Sequence, residues 1–417
     1  MKLPKMTRIR QKFTGPSITD IAGAVASEFA RTHMSGVIQP GMRIAVTAGS
    51  RGVANIAEIT KSVCDEVKKL GGRPFIVPSM GSHGGATAEG QIEVLHSLGI
   101  TEAYCQAPII SSMEVAEIGA TDDGIPVYMD RHAFESDGVI LINRIKLHTD
   151  FKSNIESGIM KMATIGLGKH KQALMLHTYG IHGIRDVMPQ AARVVLRSGK
   201  IICGIGLVEN ALERTAIMES IPPHLIEIRE QQLLKQSAAL MPKLPAEDID
   251  FLIVDEIGKN YSGTGMDTNI IGRIRIPGVQ EPAAPRIKYI LARDLSEASH
   301  GNALGIGLAD LTTRRLFDKV DFPTMNENVI TSTFLTRAAV PIVLDNDRLA
   351  IAAALRSNWG VSSEDARIVH IANTLHLEQL SVSDAVLSDL QRDASIEILG
   401  KAEEMKFDAH DNLTTGW

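Results

Sequence analysis

Three side chains that can transfer protons, bind a metal or attack an electrophile lie close together in the chain: His148, Lys161 and His177. Histidine exchanges protons near neutral pH and is a common metal ligand. A lysine amine in uncharged surroundings can act as a nucleophile, and the run Ser157-Gly158-Ile159-Met160 before Lys161 carries no charge. This spacing indicates acid–base and nucleophilic chemistry, although His177 also fits a position in the core.

A predicted strand places these residues. The apolar run Gly138–Ile142 fits a buried parallel strand, and a polar cluster follows it. Ligands in open α/β sheets bind at the carboxyl ends of strands. The cluster therefore lies where a site is expected; its members are Asn143, Arg144, Lys146, His148 and Asp150.

Two earlier strand-like runs, 43–47 and 74–78, end in similar glycine-rich loops, Gly49-Ser50-Arg51-Gly52 and Gly81-Ser82-His83-Gly84. If the strands are parallel, both loops reach one edge of a sheet ahead of helix N-termini. Backbone N–H groups there suit a phosphate or carboxylate. The glycine spacings match neither the P-loop nor the dinucleotide fingerprint. Carboxylates elsewhere are predicted to lie mostly on solvated helix faces.

The alternation of strands and helices predicts two α/β domains with mainly parallel sheets and an active site in the cleft between them. Two prolines and a new strand place the boundary near Leu244. Residues 1–244 are predicted to form the N-terminal catalytic and cofactor-binding domain, and residues 245–417 the C-terminal domain. Lys259 lies in a glycine-rich loop of the latter.

Composition excludes several classes of protein. A net charge of -6 without a basic block, together with 4% aromatic residues, argues against a nucleic-acid partner. No long apolar window predicts a membrane span. Three widely separated cysteines, Cys64, Cys105 and Cys203, fit neither a disulfide scaffold nor a structural zinc site. A cytoplasmic location is therefore expected, and the oligomeric state stays open.

The order of these elements resembles the nickel-dependent lactate racemase family. The resemblance rests on the loop with Arg51, the Gly81-Ser82-His83 loop, His148 after a buried strand, and Lys161 followed by His177. The motif departs from the family's usual pattern at Gly84, where arginine is common, and at Ile159, where glycine is common.

The resemblance implies a nickel-pincer nucleotide, a nickel-bearing pyridinium mononucleotide, tethered to Lys161 through a thioamide, with His177 completing the nickel coordination. His83 and His148 match the family's paired acid and base on opposite faces of the substrate. The first loop, with Gly49, Ser50 and Arg51, and Ser82 of the second are expected to bind the cofactor. Candidate partners of a substrate carboxylate are Arg144, Lys146 and Lys259.

The resulting hypothesis is a racemase or epimerase of a small 2-hydroxy acid. Protein made without the cofactor pathway is expected to carry an unmodified Lys161. One alternative is a hydrolase or sugar-acid isomerase that uses His83, His148 and His177 as ligands of a divalent metal. Another is a regulatory protein that binds a phosphorylated metabolite through the glycine-rich loops and does not need Lys161.

Overall fold

The computed structural model describes residues 2–50 and 52–414. The chain divides into two compact units. The N-terminal unit comprises Gly15–Met241, and the C-terminal unit comprises the chain up to Thr14 and from Pro242 onward. No helix in the described ranges is long and apolar enough to cross a membrane.

The strands of both units are short to medium in length. In chain order they are β1 Met6–Gln11, β2 Arg43–Ala48, β3 Arg73–Pro78, β4 Val115–Ala120, β5 Pro126–Asp130, β6 Gly138–Arg144, β7 Ile201–Glu209, β8 Thr215–Ile221, β9 Asp248–Ile257, β10 Arg286–Leu295, β11 Leu311–Thr313, β12 Ile342–Leu344, β13 Ile368–Ile371, β14 Gln379–Ser383 and β15 Ile396–Ile398.

The α-helices alternate with these strands. They are α1 Ile21–Arg31, α2 Ile56–Lys69, α3 Ala88–Ser97, α4 Glu102–Cys105, α5 Arg131–Phe134, α6 Ile159–Lys161, α7 Lys169–Thr178, α8 Gly180–His182, α9 Met188–Arg197, α10 Ile226–Leu240, α11 Thr268–Ile271, α12 Arg314–Asp318, α13 Phe322–Ser332, α14 Asp347–Ser357 and α15 Asp384–Leu390. Two π-helical turns, Met162–Gly166 and Gly183–Val187, directly follow α6 and α8.

The N-terminal unit contains a five-stranded sheet in the order β3-β2-β6-β7-β8. Its first four strands run parallel, and only β8 is antiparallel to its neighbour. A separate hairpin pairs β4 with β5 around a turn at residues 122–124. The predicted α/β class is confirmed, and the loops after β2, β3 and β6 leave the sheet at one edge.

Alternate side chains of β6 explain why this strand is continuously apolar. Val139 and Leu141 enter the hydrophobic core on one face of the sheet. Ile140 and Ile142 enter the core on the other face. Because a parallel strand is covered on both sides, a run without polar alternation is the expected pattern.

The C-terminal unit contains an eight-stranded sheet in the order β12-β11-β10-β9-β13-β14-β1-β15. Strands β9 to β13 are parallel, whereas β14, β1 and β15 add antiparallel pairs. Strand β1 pairs Met6–Arg10 with residues 379–383. Through β1, residues 2–14 therefore belong to the C-terminal unit and not to the predicted N-terminal domain of residues 1–244. Strands that pair although they lie hundreds of positions apart leave no local pattern in the sequence from which the pairing could be predicted.

Replacing Leu141 with alanine should destabilise the N-terminal unit, because Leu141 is fully buried in β6. Loss of a buried leucine side chain typically costs about 2 to 5 kcal/mol of unfolding free energy. Urea unfolding followed by circular dichroism measures this. Leu174→Ala is the matched control, since that side chain is 54% exposed; an equal loss in both variants would contradict the assigned core.

Candidate active site

A cavity of about 160 Å³ lies at the carboxyl edge of the N-terminal sheet. The segments around it follow β2, β3 and β6 and include the turn that carries Lys161. Five of the predicted site residues line it: Gly49, Ser50, His83, Arg144 and Lys161. Three strand ends thus contribute to a single pocket, as parallel pairing requires.

His148 contacts Lys161 directly. The Lys161 Nζ lies 2.9 Å from His148 Nε2, and the backbone N–H of Asp150 donates to His148 Nδ1 at 3.1 Å. A ring nitrogen that accepts a hydrogen bond carries no proton, so in the neutral ring Nε2 bears it. Phe151 stacks on the imidazole with ring centroids 4.5 Å apart. The orientation of His148 is therefore fixed from several sides.

Glu156 organises the loop that carries His148. Its buried carboxyl group accepts hydrogen bonds from the backbone N–H groups of His148 and Ser153. Burial raises the pKa of Glu156, while Lys152 and the two N–H donors oppose this shift. The loop between β6 and α6 is thus closed around a carboxyl group rather than left in solvent.

A second buried carboxyl group supports the turn that carries Lys161. Glu230 of α10 is 0% exposed, and its Oε2 accepts the Met160 N–H at 2.9 Å. Burial raises the pKa of Glu230 to about 7, the N–H groups of Met160 and Ile159 lower it, and the charge of Glu227 raises it further. Glu156 and Glu230 are therefore two exceptions to the prediction that carboxylates lie mostly on solvated helix faces.

His83 is held by its loop although its side chain is exposed. Its Nδ1 lies 2.8 Å from the Met80 carbonyl oxygen. Because a carbonyl only accepts, Nδ1 carries the proton and Nε2 is the accepting nitrogen of the neutral ring. Gln91 supports the same loop from α3 by donating to the carbonyl oxygens of Gly81 at 3.0 Å and His83 at 3.3 Å.

Behind this loop lies a buried ion pair that sequence reasoning missed. Lys169 and Asp130 are both 0% exposed, with Nζ and Oδ2 3.3 Å apart. Lys169 also donates to the Pro78 carbonyl and, at 3.1 Å, to Gln91 Oε1. Burial lowers the pKa of Lys169 and raises the pKa of Asp130, and in each case the partner's charge opposes the shift. A lysine in a Gly-Lys-His-Lys run resembles a surface residue, so the sequence offers no signal.

His177 lies near the end of α7, where the charge of Lys161 affects its pKa. Burial lowers the pKa of His177, the charge of Lys161 lowers it further, and Asp150 raises it. A neutral imidazole is the form that binds a metal. The structure thus gives His177 the protonation state that a metal ligand needs.

The remaining predicted residues have other surroundings. Arg144 forms an ion pair with Glu209, which also accepts the Ala54 N–H at 2.6 Å. Lys146 forms a backbone bridge with Ser157. Ser82 is exposed, and Lys259, in the C-terminal unit, donates to Asn328. Arg51 lies outside the described residues.

The residues present fit the implied cofactor. The described part of the chain has no group of three or more His, Cys, Asp or Glu side chains placed to hold a metal ion. A metal that its cofactor already coordinates needs only one further ligand from the protein, together with a residue to which the cofactor is attached. Neutral His177 and the Lys161 amine, which interact electrostatically, are such a pair. Because the described residues contain no such group of three metal-binding side chains, the structure gives no support to the alternative of a divalent metal held by His83, His148 and His177.

The raised pKa of Glu230 predicts a pH dependence of stability. The folded protein binds this proton more tightly than the unfolded chain does, so the stabilisation is complete below about pH 4.5 and is lost as pH rises through about 7. For a fully buried group this loss is about 2 to 3 kcal/mol between pH 5 and 8. Glu230→Gln, which resembles the protonated form, should therefore gain stability relative to wild type at pH 8 but not at pH 5. Urea titrations at both pH values test this. A difference in unfolding free energy between Glu230→Gln and wild type that is the same at pH 5 and pH 8 would refute it.

Replacing Gln91 with leucine should loosen the His83 loop, because two carbonyl groups and Lys169 lose a partner. Buried groups left without partners cost about 1 to 3 kcal/mol each. Thermal unfolding measures the loss, and hydrogen exchange localises it to residues 79–87. Glu93→Leu on the exposed face of α3 is the control, and equal effects would argue against a special role of Gln91.

A comparison with protein-family models agrees with the resemblance seen in the sequence. Residues 11–183 match the family model described as the lactate racemase N-terminal domain. A solved structure, the lactate racemase apoprotein from Thermoanaerobacterium thermosaccharolyticum, aligns at 11% identity and a TM-score of 0.47, with 75% of each chain covered. No curated protein matches the chain. Over residues 11–183, the chain is therefore similar to the lactate racemase N-terminal domain.

Proposed function

We propose that the protein racemises or epimerises a 2-hydroxy acid, with Lys161 carrying a nickel-pincer nucleotide and His83 and His148 exchanging protons with the substrate. The observation that carries this proposal is the contact of 2.9 Å between Lys161 Nζ and His148 Nε2. This contact links the lysine that would carry the cofactor to a histidine that can transfer protons. The family model that matches residues 11–183 is named for lactate racemase.

The two histidines are held in complementary forms. His83 has its proton on Nδ1, so its Nε2 can accept the hydroxyl proton of a substrate. His148 has its proton on Nε2 and can donate it to a carbonyl oxygen. One base and one acid are what proton exchange at opposite faces of a substrate needs. When bound, the cofactor supplies the hydride acceptor that no side chain provides.

Asp150 allows His148 to take either role. Its backbone N–H favours the form with the proton on Nε2, while its carboxylate lies 3.7 Å from Nδ1. A small ring movement toward that carboxylate stabilises the form with the proton on Nδ1. His148 can then accept the proton in the reverse reaction, as a racemase requires.

Arg144 is the best candidate for the substrate carboxylate, because it lines the cavity. Glu209 fixes one end of its guanidinium. A guanidinium has further donors in its planar fork, which can bind a carboxylate. Lys146 and Lys259 stay candidates for the same task.

Protein made in a host with the cofactor pathway should show an adduct on Lys161 by intact mass, together with nickel, and should change the optical rotation of single-enantiomer 2-hydroxy acids. His83→Gln and His148→Gln should each lower turnover by about 10² to 10⁴-fold, while the adduct remains. Lys161→Arg should abolish the adduct. An unmodified Lys161 with stoichiometric zinc, or activity that survives Lys161→Arg, would overturn the proposal.

A further inference from the structure

Glu230 lies on α10, outside the residues that match the family model. Its carboxyl group nevertheless contacts the turn of the candidate site. Oε2 accepts the Met160 N–H, one residue before Lys161, and the Ile159 N–H also stabilises the charged form. Oε1 is buried without a hydrogen-bond partner in the described structure. Placing an acidic side chain there without a cation is costly, so its contacts need an explanation.

Gly158 explains how close the carboxyl group comes. A Cβ atom on Gly158 would lie 2.4 Å from Glu230 Oε1 and 2.5 Å from its Cδ. Any side chain at this position must therefore displace Glu230 or the turn. The sequence Ser157-Gly158-Ile159 thus leaves space for a residue that comes more than seventy positions later.

The opposite side of the turn is held as well. Asn143, at the end of β6, donates from Nδ2 to the Gly158 carbonyl oxygen at 2.7 Å. Glu230 accepts from the N–H groups that follow. The turn is therefore clamped between the sheet and α10, and the Lys161 side chain leaves it at a fixed point.

We infer that Glu230 is a positioning residue, which holds the turn 157–161 so that the Lys161 amine stays in the cavity against His148. The importance of Lys161 rests on the proposed function, but the clamp itself does not. Glu230 acts through the backbone N–H groups of Met160 and Ile159 and is not among the residues that line the cavity.

The test uses the unmodified protein and trace labelling with an N-hydroxysuccinimide acetate. Mass spectrometry of peptides gives the labelling of Lys161 relative to Lys235, an exposed lysine on α10. In Glu230→Ala the partly buried Lys161 should leave the cavity, and the ratio should rise at least fivefold. Amide exchange at Ile159 and Met160 should accelerate at least tenfold.

Glu230→Gln should stay within twofold of wild type in the labelling ratio, because the amide carbonyl can still accept from the turn. Val63→Ala, a fully buried substitution in the other core of the unit, controls for general destabilisation and should not change the ratio. If Glu230 only stabilised the fold, Val63→Ala and Glu230→Ala would have the same effect on the labelling ratio.

Gly158→Ala provides a second route, should Glu230→Ala fail to fold. It should raise the labelling ratio in the wild-type background but add little in the Glu230→Ala background, because the clash is then gone. A ratio within twofold of wild type in every folded Glu230→Ala and Gly158→Ala protein would overturn the inference. Since no nickel or substrate is involved, this result is independent of whether racemisation occurs.

Discussion

Parallel pairing of β2, β3 and β6 is the constraint on which the candidate site depends. Ala45 and Val46 of β2 pair with Phe75 and Ile76 of β3 on one side and with β6 on the other. Parallel strands of one sheet end at the same edge, so three loops far apart in sequence meet there. A shift of one residue in any strand would exchange the two cores and turn the loop residues away from the cavity.

The loops themselves are held by buried polar groups rather than by apolar packing. Glu156 closes the His148 loop, Glu230 supports the Lys161 turn, and Gln91 with Lys169 holds the His83 loop. Each lies beneath the backbone and bonds to it. Such groups gain little net stability, but removing one leaves its partners unsatisfied, at about 1 to 3 kcal/mol each. Their effect is therefore to fix one loop conformation, which a proton-transfer site needs more than additional stability.

The sequence predicts this fold well where the signal is local. The predicted strand at Gly138–Ile142 is present as part of β6, and the strand-like runs 43–47 and 74–78 are present as β2 and β3. Parallel pairing also makes the meeting of His83 and Lys161 at one cavity predictable. Glu230 and Lys169 were not predictable, because charged residues in a helix are usually solvated. Only tertiary packing buries them, as it also places β1 in the C-terminal sheet.

The protonation of the two histidines follows from single backbone contacts, and this sets what the unmodified site can do. The Met80 carbonyl requires a proton on Nδ1 of His83, whereas the Asp150 N–H requires a bare Nδ1 on His148. The Lys161 nitrogen lies 2.9 Å from Nε2 of His148, so one hydrogen bond joins the lysine to the histidine. Acylation of Lys161 would remove both the positive charge and the lone pair of its nitrogen, so this hydrogen bond would change with it. If Lys161 carries a cofactor as proposed, the partner of His148 Nε2 therefore changes on attachment, and the contact that positions the lysine beforehand is not the one that a substrate meets.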